Sequence, residues 1–449
     1  MGTVLKSSRR FRVAVVGSVM SIAALVGLCS VCVADEALFE YVGKPDPAFK
    51  WQLVSATELP QGTVYGFELN SQNWHGILWK HAFYIIKPSM IFRPNHALLY
   101  ITGGSIRDGK PSTGDDEVKV LAQVAQAIGA VVAVLRQVPN QPLYDDLSED
   151  ALIAYTFERF METGDATWPL LLPMTKSAVR AMDVTQAFAK EKLGMTIESF
   201  VVTGASKRGW TTWLTGAADS RVKGIAPMVI DVLNMAEQMP HQLQVWGAYS
   251  DEIDDYTERG MQERMIIPQG QKLNRIVDPF SYRDRLTMPK LILIGTNDPY
   301  WPVDAVNFYF DELKGQKHIL YIPNAGHDLG DGREAITGVA AFFMSVASGT
   351  PLPEFSWDVK RNGNSALLAV KAGKKPIEVN LWSATTPTRD FRQSPWQKVA
   401  MTAGLENSYR ANVVIPQTGY IAFYGELVYP IIGGQRYSLC TNMNVLNRQ

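Results

Sequence analysis

The chain has 449 residues, a formal net charge of −1, an apolar fraction of 46% and a charged fraction of 19%. That length suits about two or three domains, and the composition fits a globular protein with a large core. The near-zero charge excludes a strongly basic surface built for a polyanion such as nucleic acid.

Residues 1–34 carry Lys6, Arg9, Arg10 and Arg12 and no acid. An apolar run from Val13 to Leu28 follows the basic stretch, and Cys32-Val33-Ala34 supplies a small-residue cleavage site. This is the pattern of a secretory signal peptide, with the mature chain starting near Asp35 in the periplasm or outside the cell. The run is short for a membrane span and no second long apolar run follows, so no stable span is expected after cleavage. Ser8-Arg9-Arg10 hints at a twin-arginine signal, but Arg12 stands where that signal carries a large apolar residue. Cleavage removes Cys29 and Cys32 and leaves Cys440 alone, so the mature chain has no intrachain disulfide and depends on its core.

Residues 35 to about 60 read as irregular. Thr63–Asn70 and His75–Ile86 alternate and are rich in aromatic and β-branched residues, which predicts an antiparallel hairpin or meander. Ala97–Ile101 and Ala130–Leu135 read as buried strands, separated by a glycine-rich loop and a helix over Glu117–Ile128. Gln137–Pro173 reads as a long irregular stretch. Met174–Lys190 is an amphipathic helix leading into the strand Ile197–Thr203. Lys223–Ile230, Lys290–Ile294 and His318–Ile322 are further buried strands, the last two each followed by a helical pattern that ends with Glu334–Val346. Residues 231–285 interrupt the alternation and read as a helical insertion, either a lid carrying Trp246 over the strand ends or a packed decoration. After Ser348–Pro353 the pattern changes to short strands between Gly, Pro and Asn turns. The expected organisation is therefore a signal peptide over 1–34, an α/β domain over 35–348 with a mostly parallel sheet, and an all-β, sandwich-like domain over 355–449.

In such sheets ligands sit beyond the carboxyl ends of the strands. Phe200–Trp210 places Ser206 between a buried strand and a helix start, in a G-x-S-x-x-G variant of the nucleophile elbow formed by Gly204, Ser206 and Gly209. A serine there needs a base, and His327, after the last strand, fits best. The acid should lie between them in sequence; Asp298 is the first choice and Asp231 the alternative. Asp304 and Asp328 read as helix-cap or surface residues. The N–H of Lys207 is one oxyanion donor, and the loop holding Gly103 and Gly104 is the expected source of the second. The side chains of Lys207 and Arg208 read as solvated charges at a helix start. Neither metal-ligand spacing nor a dinucleotide or phosphate glycine pattern is present, so neither a metal nor a cofactor is expected.

The elbow Gly204–Trp213, the loop Asp298–Asp304, and Leu381–Thr385 with Ser394-Pro395-Trp396 resemble the PhoPQ-activated pathogenicity-related proteins of the PqaA type. The resemblance implies a secreted or periplasmic protein with an α/β-hydrolase fold and a C-terminal β domain, and leaves the substrate open. The elbow is also locally similar to that of glucuronoyl esterases, where a basic residue follows the serine. The expected activity is cleavage of an ester or amide in a small-molecule, glycan or peptide substrate through an acyl-enzyme. The alternative is a catalytically weak hydrolase-fold protein of the cell envelope that binds or signals.

Overall fold

A computed structural model describes residues 36–431 and 434–448, so the expected signal peptide lies outside the described residues. The chain enters through a helix over 36–43 and an antiparallel meander of β1 (Lys50–Leu59), β2 (Gly62–Trp74) and β3 (Ile77–Pro88). β1 lies in the stretch expected to be irregular. It is an edge strand exposed along most of its length and bulged after Leu53, so no buried face imposed an alternating pattern on its sequence.

The centre is a run of six parallel strands. These are β4 (His96–Ile101), β5 (Val131–Leu135), β6 (Ser199–Ala205), β7 (Val222–Met228), β8 (Lys290–Gly295) and β9 (Lys317–Ile322), in spatial order β5-β4-β6-β7-β8-β9. Their residues are apolar almost throughout because helices cover both faces. Leu98, Val132, Val134 and Val201 face α1 (Asp115–Ile128). Leu99, Val131, Ala133 and Val202 face the opposite core, which holds α3 (Leu171–Phe188) and α4 (Lys207–Ala218). Between α1 and α3 in the chain comes α2 (Glu149–Thr163), a helix inside the stretch read as irregular. The insertion is helical as expected, with α5 (Met235–Trp246) and α6 (Pro268–Val277) its longest members. After β8 only 3-10 turns form, at Ala305–Phe308 and Phe310–Glu312, in place of the expected helix. The closing helix α7 (Arg333–Ser348) packs beside α1 on the first face. Among the described residues no helix is long and apolar enough to cross a membrane.

The C-terminal strands continue this sheet. After β10 (Phe355–Asn362) and β11 (Ser365–Ala372) come β12 (Glu378–Thr386), β13 (Gln397–Ala400), β14 (Ser408–Val414), β15 (Tyr420–Pro430), β16 (Arg436–Cys440) and β17 (Asn444–Asn447). β16 pairs antiparallel with β9 at Ile319 and Cys440, and the order runs on through β15, β12 and β13. β10, β11 and β14 form a separate small sheet that packs on β15, with Leu368 and Val370 against Gly425. Tyr321 of β9 and Tyr424 of β15 have ring centroids 4.8 Å apart, and Ala422, Tyr424 and Cys440 belong to the same core as α3 and α4.

β9 is therefore an interior strand that would become an edge if the C-terminal strands were removed. A chain ending at Ser348 should aggregate on expression, because it exposes an unpaired parallel edge beside Ile319 and Tyr321. Size-exclusion chromatography and thermal melting check this; a soluble monomer with a cooperative melt would show that the α/β part closes without those strands.

Candidate active site

β6 ends at Ala205 and α4 starts at Lys207, so Ser206 has to make the whole turn. Its φ is 59° and its ψ −125°, a conformation that serine rarely adopts. Two close approaches force it. A Cβ on Gly204 would stand 2.8 Å from the carbonyl oxygen of Ile101, and a Cβ on Gly209 would stand 2.8 Å from that of Met228. Gly209 is the residue that lets α4 lie against β7. The Ser206 N–H donates to the Met228 carbonyl at 2.9 Å and anchors the turn.

His327 follows β9, and its Nδ1 lies 2.9 Å from Oδ2 of Asp298, which follows β8. The Asp298 side chain is only 4% exposed and its Oδ1 accepts the Tyr300 N–H at 3.0 Å. Tyr300 stacks on the imidazole with ring centroids 4.2 Å apart. The outward nitrogen, Nε2, is buried and has no hydrogen-bond partner among the described residues. Ser206 and His327 line one cavity of about 420 Å³. Nε2 is thus the imidazole nitrogen left for a proton transfer while Nδ1 is held by a carboxylate.

Lys207 and Arg208 are not solvated charges. Both are buried, and both are paired with the first turn of α2. Arg208 makes a two-pronged bond to Glu149, at 2.7 and 2.6 Å, and its Nε donates to the Val138 carbonyl. Lys207 pairs with Asp150 and lies 5.5 Å from the centre of the Tyr300 ring. Two cations at the N-terminus of α4 oppose its dipole, whereas two acids at the N-terminus of α2 suit theirs. Packing the two helix starts together offsets the mismatch. Burial raises the Glu149 pKa, but the Arg208 bonds and charge outweigh it and hold the carboxyl below its ordinary value.

The structure brings Ser206, His327, Asp298 and Lys207 together. Asp231, the alternative acid, is turned away: it is buried, takes a hydrogen bond from the Tyr309 hydroxyl, and does not line the cavity. Burial pushes its pKa up to about 7, with the nearby Asp298 charge adding to the rise and the Tyr309 bond opposing it. Gly103 and Gly104 border a neighbouring hollow rather than this cavity, and Gly103 packs against the Arg208 guanidinium. Asp304 stands at the N-cap position of the 3-10 turn Ala305–Phe308, but its side chain does not cap that turn and is buried between His241, at 2.7 Å, and Arg389. Asp328 is exposed, as expected. Trp246 does not line the cavity; it lies under the Arg392 guanidinium, 4.2 Å from it. Van der Waals walls come instead from Met235, Met239, Met261 and Met265.

Residues 38–392 match the family described as PhoPQ-activated pathogenicity-related protein. The chain belongs to that family. A relative, autocrine proliferation repressor protein A of Dictyostelium discoideum, is 34% identical over 427 residues, covering 87% of this chain and 85% of the relative. An acetyl xylan esterase from Paenibacillus sp. R4 superposes with a TM-score of 0.50 at 14% identity, covering 70% of this chain and 93% of the esterase. Acetyl xylan esterase 1 from Thermoanaerobacterium sp. JW/SL YS485 gives 0.48 at 15% identity, with the same coverage. The fold is that of the α/β-hydrolases, with a mostly parallel central sheet and a C-terminal antiparallel β region.

Four residues around this family member's cavity were not singled out in the sequence as site residues: Glu149, Asp150, Tyr256 and Tyr300. Tyr256 and Tyr300 direct their hydroxyls at Asp150, at 2.9 and 3.4 Å. A signal for α2 was present in Ile153, Phe157 and Phe160, spaced i, i+4 and i+7 behind two acids in a first turn.

The state of Asp231 has a thermal consequence. Its folded pKa lies above the ordinary carboxylate value, so the folded state binds more protons than the unfolded one between about pH 4 and pH 7. This group's contribution to stability therefore falls as pH rises through that window. Asp231→Asn should melt closer to, or above, the parent at pH 7.5 than at pH 4.5. Melting curves at the two pH values check it, and a Tm difference that moves the other way would place an ionised carboxylate there.

Proposed function

We propose that the protein is a serine hydrolase that cleaves an ester or amide through an acyl-enzyme. The observation that carries this reading is one cavity holding a serine on a strained elbow beside an imidazole whose Nδ1 is held by a buried carboxylate and whose Nε2 is unpartnered. Ser206 Oγ attacks the carbonyl carbon as its proton passes to His327 Nε2, and Asp298 orients the imidazole and stabilises its cationic form. The oxyanion forms beside the first N–H of α4, that of Lys207. The Gly103–Gly104 loop, expected to give a second donor, borders the neighbouring hollow, so the Lys207 N–H is the donor this reading assigns. Collapse returns the proton from His327 to the leaving group, and water repeats the sequence to release the acid and restore Ser206.

The esterases that share the fold support an ester as the substrate bond, and a small molecule or glycan as the carrier. The Dictyostelium relative, named as a proliferation repressor, favours the second reading, a binding or signalling protein on a hydrolase scaffold. A fluorophosphonate probe separates them. Native protein should be labelled at Ser206, with labelling lost in Ser206→Ala and after denaturation. Asp298→Asn should lower kcat by about 10²- to 10⁴-fold and Asp231→Asn by much less, since only the former bonds the imidazole. Folded protein that no probe labels would leave the binding role.

We also propose export, on the basic and apolar character of residues 1–34. N-terminal sequencing of protein recovered from the periplasm or medium should begin near Asp35; material retaining Met1 would contradict cleavage.

A further inference from the structure

The cavity at Ser206 is larger than a two-carbon acyl group needs, and its walls have a definite chemistry. Met235 and Met239 of α5 form one side and Met261 and Met265, in the short helix Met261–Met265, the other. Unbranched thioether side chains adapt to a flexible apolar guest. Phe157, Val232 and Ile253 are buried at its depth. Leu243 and Ile266 also line it and are 42% and 75% exposed, so apolar side chains reach its outer part alongside the amides of Gln262 and Gln271.

Charge points the same way. Besides His327, the charged side chains among the described residues lining the cavity are Lys207 and Asp150, which neutralise each other. Arg208, next in sequence, is occupied by Glu149. A substrate carboxylate or ammonium would enter without a free counter-charge, and burying an unpaired charge is strongly unfavourable.

We propose that the acyl group is an uncharged apolar chain of several carbons, its carbonyl at Ser206 and its tail between α5 and the helix Met261–Met265. This rests on the serine-hydrolase reading. It concerns the acyl side alone and leaves the alcohol carrier open. Each methylene buried along the chain should raise the second-order rate constant about fourfold, until the cavity is full.

Alkylphosphonofluoridates test both levels with one chemistry: Ser206 Oγ bonds phosphorus, fluoride leaves, and the serine proton passes through His327 to solvent. The alkyl group on phosphorus occupies the acyl position. The octyl reagent should label Ser206 at least about 100-fold faster than the ethyl reagent. A carboxylate at the end of the octyl chain should remove at least about tenfold of that gain. Met239→Trp and Met265→Trp fill the channel from opposite sides and should each cut the octyl-to-ethyl ratio at least about tenfold. Thermal melting establishes which of these variants are folded, and the reagent series on the parent protein decides the question without them. Labelling of Ser206 at rates equal for both lengths, or faster with the ethyl reagent, overturns the apolar-acyl proposal and leaves the hydrolase reading standing. Faster labelling by the carboxylate-bearing reagent does the same. Failure of every reagent to label folded protein overturns both.

Discussion

The conformation of Ser206 is the constraint from which the site follows. A residue at φ 59° between a buried strand and a helix is tolerable only where neighbouring packing over-determines it, at a cost of about 1–3 kcal/mol. Gly204 and Gly209 supply that packing by letting β6, β7 and α4 approach within distances that any side chain would obstruct. The turn then fixes what comes next. α4 must begin one residue later, its free N–H groups must sit beside the hydroxyl, and the side chains of Lys207 and Arg208 must be buried at the positive end of a helix. Removing one partner from a buried ion pair costs about 3–5 kcal/mol, a figure that applies to Lys207–Asp150, whereas Glu149 is partly exposed and its loss should cost less. Glu149 itself has a φ of 53°, so the strain of the elbow has a counterpart in the residue that neutralises it.

Much of this architecture was legible because burial on two faces leaves a simple trace. The runs at Val131–Leu135, Phe200–Val202 and Leu291–Ile294 are apolar without interruption, and each was visible within a strand. Ser206, His327 and Asp298 were visible because each follows such a strand and the order in sequence constrains the roles. What escaped lacked that kind of trace. β1 is exposed along most of its length and has no buried face to pattern it. Helix α2 carries aromatics among its apolar positions and so resembled an irregular aromatic stretch, although its spacing was helical. Lys207 and Arg208 were misread because solvent is the usual counterpart of a charge at a helix start. Their true counterparts lie 59 and 57 residues upstream for Arg208–Glu149 and Lys207–Asp150, and no local pattern reveals such a pairing. The loss of Trp246 from the cavity has the same origin: periodicity placed it on α5, but only the fold shows that the face it occupies meets Arg392.

The protein holds a second histidine–carboxylate pair, and the contrast with the first is instructive. His241 and Asp304 are 2.7 Å apart and more deeply buried than His327 and Asp298 taken together. No nucleophile accompanies them: His241 sits against the Phe308 ring, and the other Asp304 oxygen takes Arg389. A pair of this kind is recognised as part of a reactive site by what its free nitrogen faces, not by the pair itself. Here the second pair fastens three segments distant in sequence: α5, the loop after β8, and the approach to β13. Asn297 strengthens the same junction by donating to the carbonyls of Arg392 and Ser394. The loop that carries Asp298 is therefore braced from the C-terminal region, which gives those added strands a bearing on the site although none of their residues lines the cavity.

That bracing also decides how the insertion behaves. Helix α5 is tied down along its buried side by Gln238 to the Leu233 and Ala305 carbonyls, by His241 to Asp304, and by Gln242 to the Tyr300 carbonyl. Its start is capped by Asp278, whose carboxylate accepts the N–H groups of Asn234 and Met235. Only Gln238, His241 and Gln242 of α5 are buried, and each is hydrogen-bonded outside the helix, so the anchorage lies along that one polar side. The opposite wall is different in kind. Met261–Met265 is a helix of five residues, and Ile266 and Ile267 after it are 75% and 48% exposed. The two walls therefore differ in how they are held, while Ser206, His327 and Asp298 all follow strands of the central sheet.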